Sequence, residues 1–245
     1  QLVFSYSFSK VNISNVKSQF KTDIKEEINN TSSFTTELIR DTRDYWFDAA
    51  RGNRNSLSTQ FSGGPVLQGN THLVKVIYSS SWFWTMFKVG NYPFVFSVNG
   101  RFGGAQEFSP SETVPIFERF YVGGADSVRG YLSRGEIGPL DGGRAFMVTN
   151  AEYKIPLYVE NKRRILQLVL FADLGGAWRS SQDIRTRVGQ SSSDRENEKF
   201  MKSAIGFGIR ITTPVFPIRL DWGYGLDHRA GEDLSQIHFT LGNLF

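Results

Sequence analysis

Between Ile218 and Leu226 the chain alternates strictly. Ile218, Leu220, Trp222, Tyr224 and Leu226 are large and apolar or aromatic, whereas Arg219, Asp221, Gly223 and Gly225 are charged or minimal. Successive side chains of a β-strand point to opposite faces, so this segment has one face for an apolar medium and one for a polar or crowded space. The same period recurs upstream. Ile205, Phe207, Ile209 and Ile211 oppose Ala204, Gly206, Gly208 and Arg210, and Leu166, Leu168, Leu170, Ala172 and Leu174 oppose Gln167, Val169, Phe171, Asp173 and Gly175. Met147, Thr149, Ala151, Tyr153 and Ile155 oppose Asn150, Glu152 and Lys154, and Phe94, Phe96 and Val98 oppose Ser97, Asn99 and Arg101. In the last segment, about 236–245, Ile237, Phe239, Leu241 and Phe245 share a face opposite Gln236, His238, Thr240 and Gly242, with Asn243 as the only break. Weaker strands are predicted at about 72–84, 55–62, 33–41 and 2–10, on the order of ten in all.

Two all-β architectures alternate in this way. A soluble sandwich turns its apolar face inward and its charged face to water, and has little use for so many Gly and Ser on the polar face. A transmembrane barrel turns the apolar face to lipid and packs small polar residues into its lumen. Aromatics recur near predicted strand ends, at Trp82, Trp84, Tyr92, Tyr153, Tyr158, Trp178, Trp222 and Phe245, where interfacial girdles belong. With 21 Phe, 9 Tyr, 5 Trp and 24 Gly, the composition favours the transmembrane antiparallel barrel. No apolar run approaches the roughly 18 residues that a membrane helix needs, which excludes a helical membrane protein and leaves a barrel open. The chain opens on Gln1 without a signal-type segment and is therefore read as a processed product or a fragment.

Other function classes find little support. The absence of cysteine removes disulfide frameworks and thiolate metal sites. The net charge of +4 comes from scattered Lys and Arg, with Lys162-Arg163-Arg164 as the one short cluster, so a nucleic-acid groove is not indicated. His72, His228 and His238 are isolated, no metal-ligand or cofactor spacing occurs, and no Gly-x-Ser-x-Gly elbow is present. Asp41, Asp44 and Asp48 read as turn and rim charges, so neither a catalytic residue nor a metal ligand is assigned.

Connection lengths orient the sheet, because such barrels have short periplasmic turns and long outer loops. With the C-terminus in the periplasm, the outer connections fall at about 227–235, 179–200, 103–144, 63–71 and 11–32, and the inner ones at about 212–217, 157–164, 86–93 and 42–54. Lys17 to Asn29 has the pattern of one or two helical turns, and 179–200 is polar. The loop of about forty residues at 103–144 is too long to be only a connector. Its Ile116, Phe117, Phe120, Tyr121, Val122, Val128, Tyr131 and Leu132 need burial, and the lumen is the available place. It carries Val128, Arg129, Gly130 and Tyr131, while Glu152 and Asp173 lie on the polar faces of the next two strands. Two carboxylates so placed can hold a guanidinium in forked hydrogen bonds that lysine cannot reproduce.

Several motifs in fixed order carry a resemblance. They are Arg40-Asp41-Thr42-Arg43-Asp44 with Gly52, Phe117-Glu118-Arg119-Phe120-Tyr121-Val122-Gly123-Gly124, Val128-Arg129-Gly130-Tyr131 and Gly138-Pro139. Ala151-Glu152-Tyr153, Phe171-Ala172-Asp173-Leu174-Gly175, Thr213-Pro214, Ile218-Arg219-Leu220-Asp221 and the terminal Phe245 follow. From about residue 33 onward the chain resembles the C-terminal part of the barrel of the BamA family of outer-membrane protein assembly factors, within a wider superfamily of protein-inserting and protein-translocating barrels. The resemblance implies a sixteen-stranded barrel whose sixth outer loop folds into the lumen, with its arginine, here Arg129, meeting the acidic residues Glu152 and Asp173. It makes residues 1–245 the C-terminal portion of a barrel domain, with POTRA domains and about six strands preceding it. The chain departs from the family at Tyr45-Trp46-Phe47-Asp48-Ala49-Ala50-Arg51-Gly52, which lacks the proline usual before that glycine.

The function so implied is insertion and folding of nascent β-barrel proteins in the bacterial outer membrane, without cofactor or covalent chemistry. A client strand pairs at a lateral seam, whose last strand carries Ile237, Phe239, Leu241 and Phe245, and edge pairing supplies affinity through main-chain hydrogen bonds. Its partners are nascent barrel clients, the accessory lipoproteins of an assembly complex and the lipid bilayer. A translocation pore of the TamA or two-partner-secretion type remains the alternative, ahead of a barrel enzyme. A passive porin is disfavoured because a loop filling the lumen blocks the channel.

Overall fold

A computed structural model describes residues 1–14, 28–111, 113–160, 163–184, 188, 200–213, 216–229 and 231–242. Within these, the chain forms ten strands: β1 (Leu2–Asn12), β2 (Ile28–Asp41), β3 (Gly52–Ser62), β4 (Leu73–Val89), β5 (Tyr92–Glu107), β6 (Ala145–Glu160), β7 (Arg163–Trp178), β8 (Lys202–Thr212), β9 (Pro217–Gly225) and β10 (Ser235–Leu241). They form one antiparallel sheet in simple sequence order, with β1 and β10 at its edges. All-β architecture and the ten-strand count therefore follow the period-two pattern of the sequence.

The alternation partitions the two faces as the chemistry requires. On β8 the side chains of Ile205, Phe207, Ile209 and Ile211 are exposed outward, while Lys202, Ala204 and Arg210 are buried inward. On β9 Leu220, Trp222 and Tyr224 point out, and Arg219 and Asp221 are buried. Charged groups inside and bare apolar groups outside invert a soluble sandwich, and lipid is the medium that makes the arrangement stable. Trp82, Trp84 and Phe96 stack along the outward face at the inner end of the β4–β5 hairpin, with ring centroids 6.1 and 6.0 Å apart in succession. Trp178 departs from the expected girdle. It is buried beside Ala145 and Met201, because the outer end of β7 is covered on both faces.

Several strands outrun the sequence pattern. β5 continues to Glu107, where a loop from about 103 was expected, because Gly103 and Gly104 pair with Phe146 and Ala145. A β-carbon at Gly103 would collide with the Phe146 ring, so the glycine that resembles a loop signal makes room for a cross-strand aromatic. β2 begins at Ile28, so Ile28 and Asn29 of the expected helical turns are strand, and the remainder of that segment lies outside the described residues. The polar start of β2 is held by Asn70, whose amide donates to the Ile28 carbonyl at 2.9 Å and whose carbonyl accepts from Asn30 N at 2.7 Å. At the other edge β10 runs to Leu241, and 243–245 of the expected 236–245 lie outside the described residues. Gly242 follows at φ 104°, its N–H still donating to the Pro217 carbonyl at 2.9 Å. Phe245, Asn243 and most of the polar segment 179–200 lie outside the described residues.

Phe207, 48% exposed at the middle of β8, tests the assignment of the outer face. Phe207→Arg is expected to cost about 2–4 kcal/mol, the penalty for a lipid-facing arginine near the bilayer midplane. Urea titration of the full-length protein folded into vesicles, followed by heat-modifiable gel mobility, checks this. An unchanged midpoint would show that the face does not meet lipid.

Candidate functional site

The loop between β5 and β6, residues 108–144, descends onto the inner face of the sheet. Val122, Val128, Tyr131 and Ile137 form an apolar cluster with Val148 of β6, Ala177 of β7 and Ala204 of β8. Phe120 joins a second cluster with Leu73, Ala105 and Val114. Phe120, Val122, Val128 and Tyr131 thus find the burial they required, Val128 and Tyr131 completely, while Ile116, Phe117 and Tyr121 are half-buried. Leu132 is the correction: it is 48% exposed, because the chain turns back there and its N–H donates to the Glu136 carboxylate at 2.5 Å.

Glycine lets this loop approach closely. Gly130 adopts φ 102°, and a β-carbon on it would lie 2.8 Å from Gly225 N and 2.9 Å from the Tyr224 carbonyl carbon. Opposite it, a β-carbon on Gly223 would come within 2.6 Å of both the Arg129 carbonyl carbon and Gly130 N. The backbone of the Val128-Arg129-Gly130-Tyr131 segment therefore lies flat on a strip of β9 without side chains. Tyr131 anchors its far end, donating from its hydroxyl to Ser203 O at 3.1 Å and accepting from Asp227 N at 2.9 Å.

Arg129, 2% exposed, projects from this support into a nest of acceptors. Its Nε donates to Asp173 Oδ2 at 2.7 Å and its Nη2 to Asp173 Oδ1 at 2.8 Å, a two-pronged pairing, while its backbone N–H donates to the same Oδ2 at 3.0 Å. Nη1 donates to Glu152 Oε1 at 2.7 Å and reaches Asp221 Oδ2 at 3.5 Å. The guanidinium carbon lies 3.5 Å from the Phe171 ring centroid. Asn150 ties the loop to the same carboxylate: its amide donates to Asp173 Oδ1 at 2.8 Å and to the Ser127 carbonyl at 2.5 Å. A buried charge is costly unless paired and hydrogen-bonded, and here each donor nitrogen of the guanidinium has a charged acceptor.

The structure thus brings together Arg129, Glu152 and Asp173, and adds residues that sequence reasoning had not joined to them. Asp221 receives Arg129 and also pairs with Arg210 and Arg219. Arg210 in turn reaches Glu152 at 3.4 Å. His238 of β10 accepts the Gly130 N–H at 3.4 Å, so a histidine that reads as isolated touches the loop motif. All these positions lie on polar faces of their strands, which is visible in sequence; the register that aligns them is not. Ile237, Phe239 and Leu241 lie on the outer face of β10, 72%, 64% and 56% exposed. They are not among the contacts of Arg129. Among the described residues, no group of His, Asp and Glu is arranged to hold a metal ion.

The Omp85 superfamily domain matches residues 1–245. The chain belongs to the Omp85 superfamily. It is 30% identical over 231 residues to the outer membrane protein assembly factor BamA of Nitratidesulfovibrio vulgaris, covering 90% of this chain and 26% of that protein. It is 26% identical over 192 residues to BamA of Neisseria meningitidis, covering 69% of this chain and 23% of that protein. The chain therefore spans about a quarter of the length of these relatives. The crystal structure of BamA from Haemophilus ducreyi lacking POTRA domains 1–3 shares the fold, with a TM-score of 0.75 at 17% identity over 99% of this chain and 50% of that one. The ten strands are thus part of an Omp85 barrel of the bacterial outer membrane.

Removing one member of a buried, hydrogen-bonded charge cluster typically costs about 3–5 kcal/mol, because the partner charges are left uncompensated. Arg129→Ala is accordingly expected to expose the loop to proteinase K while the barrel keeps its heat-modifiable mobility. Arg129→Lys keeps the charge but loses the two-pronged pairing, so it should give intermediate cleavage; protection equal to the native loop would show that charge alone suffices. Gly130→Ala should loosen the loop with all charges intact, because its β-carbon meets the β9 backbone. Cleavage rates of the three variants at one protease concentration separate these effects.

Proposed function

We propose that this chain is the C-terminal portion of the barrel domain of an outer-membrane protein assembly factor, which folds and inserts nascent β-barrel proteins through a lateral strand seam. The observation that carries the proposal is the similarity to proteins named as assembly factors, at 30% identity over 90% of the chain. The geometry supports it. β10 pairs with β9 and lies at one edge of the described sheet. A strand edge offers a row of main-chain donors and acceptors, and a client strand added to it gains affinity from those groups rather than from side-chain identity. A single edge can therefore serve many client sequences.

In this proposal the lumen loop supplies rigidity beside the seam. Arg129 fixes the loop to β6 and β7 through Glu152 and Asp173, and the flat contact of Gly130 on Gly223 and Gly225 holds it against β9, the neighbour of β10. Through His238 the loop also touches β10 itself. A seam strand that opens needs a stationary wall behind it, and the loop clamps that wall. Ile237, Phe239 and Leu241 keep the outer side of the seam apolar and within the bilayer. Nascent barrel chains and accessory lipoproteins of the assembly complex are the protein partners in this reading. No cofactor or covalent step is assigned to it.

The test is insertion of a radiolabelled barrel client into liposomes holding the full-length protein, native or Arg129→Ala, with client folding read by heat-modifiable mobility. The native protein is expected to accelerate client folding, and the variant to lose most of that acceleration while its own barrel stays assembled. Release of an unfolded passenger across the bilayer without any acceleration of folding would replace the proposal with protein translocation.

A further inference from the structure

The connection between β2 and β3, residues 42–51, lies at the end of the sheet opposite the lumen loop, and its Asp48 is not the rim charge that its sequence context suggests. The turn is stiffened at its base, where Asp44 Oδ1 accepts the N–H groups of Tyr45, Ala50 and Arg51 at 2.9, 2.9 and 3.2 Å. It then bends inward across the lumen. Asp48 Oδ2 accepts from Arg164 Nε at 2.8 Å and from Gln167 Nε2 at 2.9 Å, both on β7. Arg164 Nη2 also donates to the carbonyls of Asp48 and Ala49, at 2.8 and 3.0 Å. Ala49 is 2% exposed, and Thr85 of β4 donates to the Ala50 carbonyl at 3.0 Å. The Arg164 and Gln167 contacts join parts of the chain more than a hundred residues apart, and together with Thr85 they seat the turn as an inner plug.

The two plugs meet on one strand. Glu152 and Lys154 are successive inward-facing residues of β6. Glu152 Oε1 receives Arg129 of the outer loop, and Lys154 Nζ stands between Glu152 Oε2, at 3.9 Å, and Asp48 Oδ1 of the inner turn, at 3.8 Å. A cavity of about 60 Å³ touches Asp48 of the inner turn together with Glu152, Lys154, Arg210 and Arg219, so the turn borders the same space as Glu152, the carboxylate that holds Arg129. Lys154 is shared. If Asp48 leaves, its remaining carboxylate neighbour is Glu152, and a Glu152 more fully compensated by Lys154 holds Arg129 less tightly.

We propose that the inner turn 42–51 is a second lumen lock, and that Lys154 couples it to the outer loop, so that displacing the turn from the periplasmic side loosens the Arg129 seat. The coupling gives a chain arriving in the periplasm a route to the outer loop without touching it: any acidic or bulky segment that displaces Asp48 acts through Lys154 on Glu152. Asp48 is then a positioning residue for the loop.

A double-mutant cycle on the full-length protein tests this, with all other cysteines removed. Val122→Cys, buried in the loop at 1% exposure, reports loop lifting through its reaction with a membrane-impermeant maleimide on intact cells, and Ala49→Cys reports turn release in opened cells. Heat-modifiable mobility confirms that each barrel is assembled. Asp48→Asn is expected to release the turn and to raise outer-loop labelling by about fivefold, the lower range of ordinary allosteric couplings. In a Lys154→Gln background the same substitution should still release the turn and should leave loop labelling unchanged. Three outcomes overturn the proposal: no turn release, turn release without change at Val122→Cys, or an equal rise with and without Lys154, which is general loosening of the barrel.

Discussion

The guanidinium of Arg129, buried against Phe171 and gripped at two nitrogens by Asp173, is the interaction on which the lumen depends. In a space walled off from water a lone carboxylate or guanidinium is prohibitively costly, so Glu152, Asp173 and Asp221 are tolerable inside the sheet only because cations meet them. Arg129 comes from a loop, not from the sheet, and the stability of the inner wall is therefore tied to the position of that loop. The glycines of β9 serve the same end by removing the side chains that would hold the loop backbone away. Charge pairing and close backbone approach are two halves of one device: without the bare strip the guanidinium falls short of Asp173, and without the carboxylates the strip has nothing to press against it.

Membrane physics accounts for the rest of the architecture. In hydrocarbon every backbone polar group needs an internal partner, which is why the chain proceeds as an uninterrupted succession of paired antiparallel strands. The outward faces then need only be apolar, and they are filled by Ile, Leu, Phe and Trp, with aromatic rings stacked between neighbouring strands. Specificity moves inward, where the polar faces carry charges in contact with each other. The edges β1 and β10 are the exceptions to satisfied pairing within this sheet, and β10 is also the strand that His238 brings into contact with the loop motif. The edge strand and β9, on which the loop motif rests, are neighbours.

Legibility differed between the two faces of the same strands. The outer face was plain, because lipid imposes one demand on every second residue and the demand repeats. Arg129, Glu152 and Asp173 were also legible as a group, since a long apolar-rich loop followed by two inward carboxylates has few ways to satisfy its charges. Asp221, Arg210 and His238 were not, because their participation depends on how β8, β9 and β10 are registered against β6 and β7. Asp48 was misread as a rim charge for a related reason: a polar turn near a strand end has the same composition whether it points into water or folds back under the sheet. Strand ends were misjudged at Gly103 and at Asn29, where residues typical of loops have cross-strand roles.

The sequence by itself determined the ten strands, the side of each that faces lipid, the alternation of short and long connections, and the need for the loop expected at 103–144 to be buried. Each of these follows from local periodicity or composition, and so is written within a few consecutive residues. The tertiary structure alone decided that Arg129 has a third acidic neighbour in Asp221, that Gly130 rests on Gly223 and Gly225, and that Asp48 reaches Arg164 across the lumen. Those contacts join residues far apart in the chain. Strand register and sheet curvature create them, and neither quantity is a property of any one segment.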